Sequence, residues 1–481
     1  MQWSSAPPGG APERRDRTAG RPAGQGTGTH ARMTYDEALR YLLSFADFER
    51  TGRFSRRPDV EPVRALLHEL GDPHAGRITV HVAGSKGKGS VAAMIASILT
   101  AAGLRTGLTT SPHLHRFVER VMIDGEPVSP EAFAAAVAQL PPVVEAVRRR
   151  FPGRDFVTFD LLTAAAFVAF RDAGAQAQVV EVGLGGRLDA TNVFDTLEVC
   201  VVTPVSLEHT AVLGHTVAEI AREKAAIVKP EATVVMGLQR ESAAEVIRAR
   251  AAQTGAPLVE IANACALRRE RRGPEGQSFV LRTPAGTHRL NLPLAGRHQV
   301  ENAATAVLAA EALAQRGIPL LPEHIRAGLA SVRWPGRLEL LQRQPVVIVD
   351  GAHNADSARR LAEALRDDFG LSAATLLVGT LAGKDVAGMA REMQALASRV
   401  IAPRWEHPRA APSGDVVEAF APLDVPVEVV GSIDAALERA RSIEEAACAM
   451  GSIAFAAAVR ECLLGIESDM MRLQSSGAEA P

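Results

Sequence analysis

Lys88 stands inside "VAGSKGKGS", Val82 to Ser90, with three glycines and two serines crowded around it. Glycine-rich turns that end on a lysine cradle phosphates with backbone N–H groups, while the lysine reaches the terminal phosphates. The standard spacing, G-x-x-x-x-G-K-[ST], is not kept here. Gly84 lies too close to Gly87, Val82 holds the place of the first glycine, and Gly89 pushes the hydroxyl one position late, to Ser90. Other polar clusters follow short apolar runs. Glu181 precedes "GLGGRLDATN", and Glu208 and His209 follow "VCVVT". A carboxylate facing a phosphate loop suits Mg²⁺, which prefers oxygen ligands. Glu181 can equally be a paired core residue beside a turn, and His209 a hydrogen-bonded structural one. Lys224, in "EIAREKAAIVKP", falls on or beside an apolar helical face, where its stem can pack while its charge reaches water. Ser111, His113, His115, Arg116 and Arg120 share one turn-prone segment, fit to grip an anion or to form a surface loop. Asp350, His353 and Asn354 follow "VIV", and Lys384 with Asp385 repeats that arrangement. An Asp at such a place can hold a ribose hydroxyl or cap the next helix.

The elements that must position these groups follow from periodicity. "ITVHVAG" is a β-branched run ending in glycine, as a buried parallel strand does. Val91, Met94, Ile95, Ile98, Leu99 and Ala102 then keep helical spacing up to Gly103, a C-terminal cap. The glycine-rich loop therefore joins a strand end to a helix N-terminus, where amides and the helix dipole converge on an anion. Further strands are expected near 177–183, 197–203 and 232–237, then short antiparallel strands around 265–295 with a Pro-Ala-Gly turn. After "RWPGR" a second series begins, with "PVVIVDG", "ATLLVG", "SRVIAP" and "VPVEVVG" and a helix over 355–368. Strands alternating with helices imply an α/β fold of two doubly wound domains. The first is P-loop ATPase-like with a small antiparallel sheet, over 33–332, and the second Rossmann-like, over 338–481, with a hinge at 333–337. Ligands in such folds bind past the carboxyl ends of the strands.

The 481 residues are 47% hydrophobic and 22% charged, with a formal net charge of -2, which gives no basic field for nucleic acid or a membrane surface. Four scattered cysteines show no C-x-x-C pair, so no zinc site or disulfide framework is expected. No apolar run reaches the length of a membrane span. Residues 1–32, rich in Gly, Pro and Arg, lack the apolar core of a secretory signal and read as a disordered tail or an over-extended start. A soluble cytoplasmic monomer is the expectation.

Taken together, "GSKGKGS", "TSPHL..F.ER", "EVGLGGRLDATN", "S.EHT..LG.T...I..EKA.I", "AGRHQ..NA", "WPGRLE", "DGAHN" and "HPRA" resemble, in order, the folylpolyglutamate synthase/dihydrofolate synthase family of the Mur ligase superfamily. That family's loop resembles G-T-N-G-K-G-[ST], so the close glycines belong to its pattern, while Ser85 and Lys86 depart from Thr-Asn. The resemblance implies phosphate binding by Gly84, Gly87, Lys88, Gly89 and Ser90, and further ATP contacts at Asn302, Arg337 and Asp350. It implies two Mg²⁺ ions near Ser111, Glu181, His209 and Lys224, with Lys224 carboxylated by CO₂, and Lys88, Lys224 and His209 as the catalytic set. Val157, Thr158, Phe159 and Asp160, with Leu188, Asp189 and Ala190, match segments that contact the pteroate part of the substrate. Arg120, His353 and Ser452 are the candidates for holding L-glutamate. The implied reaction is ATP-dependent amide formation between L-glutamate and a folate or 7,8-dihydropteroate, through an acyl phosphate. Glu208 in place of Asp, the short acidic pattern of "LAGKD", and the missing aromatic after Ser452 are departures. A Mur-type ligase for another acceptor and a non-catalytic ATP-binding module are the rival readings.

Overall fold

The computed structural model of the chain describes residues 33–51 and 59–475. Residues 1–32, and the tail expected there, lie outside the described residues. Eight strands form the first sheet: β1 (Ile78–Ala83), β2 (Thr106–Thr109), β3 (Val121–Ile123), β4 (Glu126–Pro127), β5 (Ala177–Glu181), β6 (Val199–Val202), β7 (Thr233–Met236) and β8 (Leu258–Glu260). Their order is β4-β3-β2-β5-β1-β6-β7-β8. β1 runs parallel to β5 on one side and to β6 on the other, pairing Val82 with Glu181 and Ala83 with Val202. Strand order thus reverses around β1, and the ends of three parallel strands open into one crevice, where doubly wound folds bind ligands.

Both faces of this sheet are apolar. Val80, Val82, Val179, Val199 and Val201 pack with Val91, Met94 and Ile95 of the helix Lys88–Ala101 on one side. Val180, Cys200 and Val202 pack with Leu161 and Phe167 of the helix Thr158–Asp172 on the other. A strand whose alternate residues enter two cores reads as a continuous apolar run, which is why these strands are legible. Burying each such side chain contributes on the order of 1.5–3 kcal/mol. Gly103 follows the helix in the left-handed region (φ 80°), as a C-terminal cap should.

Three antiparallel strands follow, β9 (Ala266–Gly273), β10 (Gly276–Thr283) and β11 (Gly286–Leu292), the last two joined by the Pro284–Ala285 turn. The second lobe holds β12 (Glu339–Arg343), β13 (Val346–Val349), β14 (Ala374–Val378), β15 (Ala397–Pro403), β16 (Val427–Val430) and β17 (Ala447–Met450). Its sheet order is β12-β13-β17-β14-β15-β16, parallel except for β12. Ile348, Leu376 and Val400 enter one of its cores, and Val349, Leu377 and Ile401 the other. Among the described residues, no helix is long and apolar enough to cross a membrane.

Candidate active site

The glycine-rich loop leaves β1 and enters the helix Lys88–Ala101 with Gly87 at its N-cap, at φ 80°. Its glycines are required by close approach as well as by conformation. A Cβ on Gly84 would lie 1.8 Å from Thr203 Oγ1, at the end of β6, and one on Gly87 would lie 2.4 Å from Asn302 Oδ1. The loop is pinned from behind, because the Ser85 and Lys86 N–H groups donate to Pro204 O at 2.9 and 3.1 Å. First-turn amides have no carbonyl partner within their own helix. The N–H groups of Lys88, Gly89 and Ser90 are therefore set to meet an anion.

Glu181 ends β5 and is buried; its Oε2 accepts from Ser111 N–H at 3.0 Å. Burial raises the pKa of its carboxyl, and Lys88, the Ser111 N–H, Arg337 and Arg120 oppose that shift. Of the expected site residues, the structure thus brings Lys88 and Ser111 beside Glu181. Lys224 corrects its local reading. Its charge does not reach water: the side chain is 2% exposed, with Nζ 2.7 Å from Glu208 Oε1 and donating to Gly84 O at 2.8 Å. Burial works against charge on Glu208, but Lys224 and then Lys88 outweigh it and hold the carboxyl at about 2. Lys224 is the strained member of the pair, its pKa lowered by burial against the pull of Glu208. His209, beside Glu208, takes a left-handed backbone (φ 45°). Its residue is exposed, yet enough protein surrounds the ring that desolvation lowers it to about 4.

The second lobe meets this loop from the other side. Trp334 lies against Gly89, where an added Cβ would be 2.8 Å from Cζ2. Gly336 turns at φ 72°, and Asp350 fixes the turn by accepting from Leu338 N–H and Ala352 N–H at 2.9 and 2.8 Å. Burial raises the Asp350 pKa, with Arg337 the first opposing charge. Lys86 Nζ lies 3.5 Å from His353 Nε2, and His353 Nδ1 is 2.9 Å from Gly351 O. Burial, and then Lys86, lower the His353 ring to about 3.

Two of the expected glutamate contacts are already engaged. Arg120, buried, forks onto Glu49 and donates to His113 Nδ1 at 2.8 Å. Ser452 caps the helix Ile453–Leu464, accepting from Phe455 N–H at 3.0 Å. The two segments expected to contact pteroate meet at Phe159 and Gly183. The Phe159 ring would lie 2.4 Å from a Cβ on Gly183, and Asp189 ties the 183–190 loop together by accepting from Leu184 N–H, Thr191 N–H and Thr191 Oγ1. Leu188 is half-buried and Ala190 buried in the same loop. Val157 is half-buried; its N–H is capped by Asp160, and Thr158 Oγ1 donates to Leu42 O and Phe45 O. Thr203, Trp334 and Glu49 are the site neighbours that sequence reasoning missed as contacts. Only the strand-end position of Thr203 carried a signal.

A nucleotide loop at a strand-order reversal, faced by a second α/β lobe, is the architecture of a Mur-type ATP-dependent ligase. Residues 147–310 match the Mur ligase middle domain, and 336–451 match the Mur ligase glutamate ligase domain. The folylpolyglutamate synthase of Lacticaseibacillus casei is 36% identical over 439 residues, covering 91% of this chain and all of that protein. The dihydrofolate synthase/folylpolyglutamate synthase of Bacillus subtilis is 36% identical over 370 residues, 76% of this chain and 86% of that one. The structure of Mycobacterium tuberculosis folylpolyglutamate synthase complexed with ADP superposes with a TM-score of 0.82 at 33% identity, over 90% of this chain and 99% of that one. A folylpolyglutamate synthase complex with AMPPCP and folate gives 0.77 at 35% identity, over 90% and 100%. The chain belongs to the folylpolyglutamate synthase/dihydrofolate synthase family, and it is an ATP-dependent ligase.

Proposed function

We propose that this protein joins L-glutamate, through an amide, to the free carboxylate of a folate or of 7,8-dihydropteroate. The observation that carries the reading is the convergence of the Gly84–Ser90 loop, Glu181 and Trp334 on one crevice, with Asn302 against Gly87. The loop amides and Lys88 hold the β- and γ-phosphates, and Asn302, Arg337 and Asp350 hold the rest of the nucleotide. A substrate carboxylate oxygen attacks the γ-phosphorus, and the bond to ADP breaks. The glutamate nitrogen then attacks the acyl phosphate carbonyl, loses a proton, and phosphate leaves. Preorganised positive charge around the transferring group lowers that barrier. Movement of the second lobe, 338–464, against the first about 333–337 keeps water from the acyl phosphate. The expected boundary of 338–481 is too long, because Asp469 and Leu473 pack on the first lobe.

The residues fit Mg²⁺. No group of three or more His, Cys, Asp or Glu set to hold a metal occurs among the described residues. Glu181, its Oε2 3.3 Å from where a Cβ on Gly89 would stand, offers a carboxylate oxygen beside the loop, as an ion carried mainly by phosphates and water uses. Glu181, Ser111 and His209 are the groups we assign to it; when bound, it neutralises charge on the phosphates. As an ammonium, Lys224 cannot ligate. Burial favours its neutral amine, the form that adds CO₂ to give a carbamate and a proton. A carbamate beside the Glu208 carboxylate would then need a cation between them. Of the expected glutamate contacts, Arg120 and Ser452 are engaged within the protein, so we assign the incoming glutamate to His353, with Lys86 3.5 Å away.

The test is ADP release by purified protein with ATP, Mg²⁺ and L-glutamate, offering 7,8-dihydropteroate and tetrahydrofolate separately. Turnover with either supports the reading, and turnover with both makes the protein bifunctional. Release no higher than without pterin, while Lys88→Ala still abolishes ATP binding, overturns it. We take the protein as a cytoplasmic monomer without nucleic-acid or membrane partners, which size-exclusion chromatography with light scattering checks for mass.

A further inference from the structure

Among the described residues, the chain crosses between its lobes twice. The first crossing is the 333–337 turn. The second comes after the helix Ile453–Leu464, where residues 465–468 lead back to a last short helix, Asp469–Ser475, on the first lobe. Asp469, 1% exposed, is its anchor. One carboxylate oxygen accepts from Tyr35 OH at 2.5 Å and from Phe117 N–H at 2.6 Å, and the other lies 3.5 Å from Arg116 Nε. Its own N–H donates to His115 O at 3.1 Å. Leu473 sinks into the first lobe's core at 2% exposure, and Arg472 pairs with Asp36 at 3.0 Å.

His115 connects this anchor to the hinge. Its Nδ1 lies 2.9 Å from Glu461 Oε1, and its Nε2 meets Arg460 Nη1. An arginine nitrogen only donates, so Nε2 accepts and Nδ1 carries the hydrogen given to Glu461. Arg460 then forks onto Glu339 at 2.9 and 3.1 Å, and Glu339 accepts from Gly336 N–H at 2.6 Å, inside the hinge turn. The whole line is largely buried, with His115 at 6% and the Glu461 side chain at 10% exposure. A connected, satisfied polar network of this kind rigidifies what it joins.

The same loop carries Ser111. Glu119 fastens the N–H groups of Leu114, His115 and Arg116 at 2.7, 3.1 and 3.0 Å, and Arg120 is locked on Glu49 and His113. Residues 113–120 therefore move as a unit, and a displacement of His115 is passed to the Ser111 N–H that holds Glu181.

We propose that the C-terminal helix is a second tether between the lobes, with Asp469 its anchor and His115 its pivot. A body attached at two points turns only about the line joining them. The tether thus confines the second lobe to one swing, between Gly336 and Asp469, and keeps the Ser111 loop in register with Glu181. Asp469 and His115 are positioning residues and touch no substrate.

The test places spin labels on cysteines introduced at exposed Gln253 and Glu418, one in each lobe, with Cys265 and Cys462 changed to Ser. The inter-label distance distribution is read by pulsed EPR with a non-hydrolysable ATP analogue. Asp469→Ala is expected to broaden the distribution about twofold. It should also lower kcat for ADP release about tenfold, since small misplacements at the reacting centre are costly. The KM for ATP should stay within about twofold, because the loop itself is untouched. An unchanged distribution and kcat, with only a lower Tm, overturns the proposal. Should Asp469→Ala fail to fold, Tyr35→Phe, which removes one bond to Asp469, and His115→Leu, which removes the bonds to Glu461 and Arg460, give the same readouts. The kinetic arm rests on the proposed ligase activity and the distance arm does not, so loss of one reading leaves the other decided.

Discussion

Gly89 lies under the indole of Trp334, so close that a Cβ on Gly89 would sit 2.8 Å from Cζ2 and 3.3 Å from Glu181 Oε2. A standard phosphate loop carries its Ser or Thr at this position. Here the space is filled by the hinge tryptophan, and the hydroxyl is displaced to Ser90. The unusual spacing is the imprint of the hinge tryptophan on the loop.

Gly89→Ser therefore tests the packing directly. Gly89 is helical and does not take a positive φ, so the serine suits the backbone and stability should change by no more than about 1 kcal/mol. The side chain nevertheless forces Trp334 away from the loop. ADP release should fall by about tenfold or more, a barrier change near 1.4 kcal/mol. Steady-state kinetics beside a thermal melt separates the two effects; wild-type turnover in the variant would show that Trp334 moves at no cost.

Lys224 and Glu208 form a buried pair at 2.7 Å. Removing one partner of such a pair costs about 3–5 kcal/mol. Lys224→Ala should destabilise the protein toward the lower end of that range, because the Glu208 side chain keeps 14% exposure, and should abolish turnover. Lys224→Glu supplies an anion where a carbamate would stand. Without metal it should melt below Lys224→Ala, because two carboxylates then face each other. Added Mg²⁺ should raise its Tm by several degrees more than that of Lys224→Ala. Equal responses to Mg²⁺ would remove the case for a cation between these groups.

What was legible in the sequence depended on range. β1, β5 and β6 show as β-branched runs because each is buried on both faces. β17, "ACAM", is equally central yet carries no β-branched residue, and it was not read as a strand. β2, "TGLT", was missed likewise; its Gly107 leaves room for Phe170, whose ring would sit 2.6 Å from a Cβ there. Local periodicity put the Lys224 charge in water because its partner lies on another strand end. Arg120 looked free to grip a substrate because Glu49, its partner, is distant in sequence. The order of the motifs was visible throughout, and the pairings between them were not.

Acid should weaken the fold through histidines before carboxylates. His81 is fully buried with Nε2 2.8 Å from Thr191 Oγ1, and burial lowers its pKa from 6.5 to about 3. Burial similarly lowers His298 to about 4. Between those values and 6.5 the unfolded chain binds protons that the folded one refuses. The stabilisation is complete above pH 6.5 and is lost as pH falls toward 3–4, at up to about 1.4 kcal/mol per pH unit for each ring. Melting curves at pH 7, 6 and 5 should show this loss, and His81→Leu should flatten it. An unchanged slope in that variant would assign the acid sensitivity elsewhere.

Phe159 and Gly183 make one surface, since a Cβ on Gly183 would lie 2.4 Å from Phe159 Cζ. The ring is half-buried, and it stands between the helix start at Thr158 and the loop that Asp189 holds. If it packs on the pterin, Phe159→Ala should cost about 0.5–1.5 kcal/mol of binding beyond lost area, roughly a 2- to 10-fold rise in the pterin KM. Gly183→Ala should do the same by pushing the ring aside, with the KM for ATP unmoved in both. Because both changes act through one ring, the double variant should be no worse than the more impaired single variant, the non-additivity expected of residues in contact. Additive losses, or an effect on the ATP KM, would mean that Gly183 serves the neighbouring metal and phosphate groups instead of the pterin.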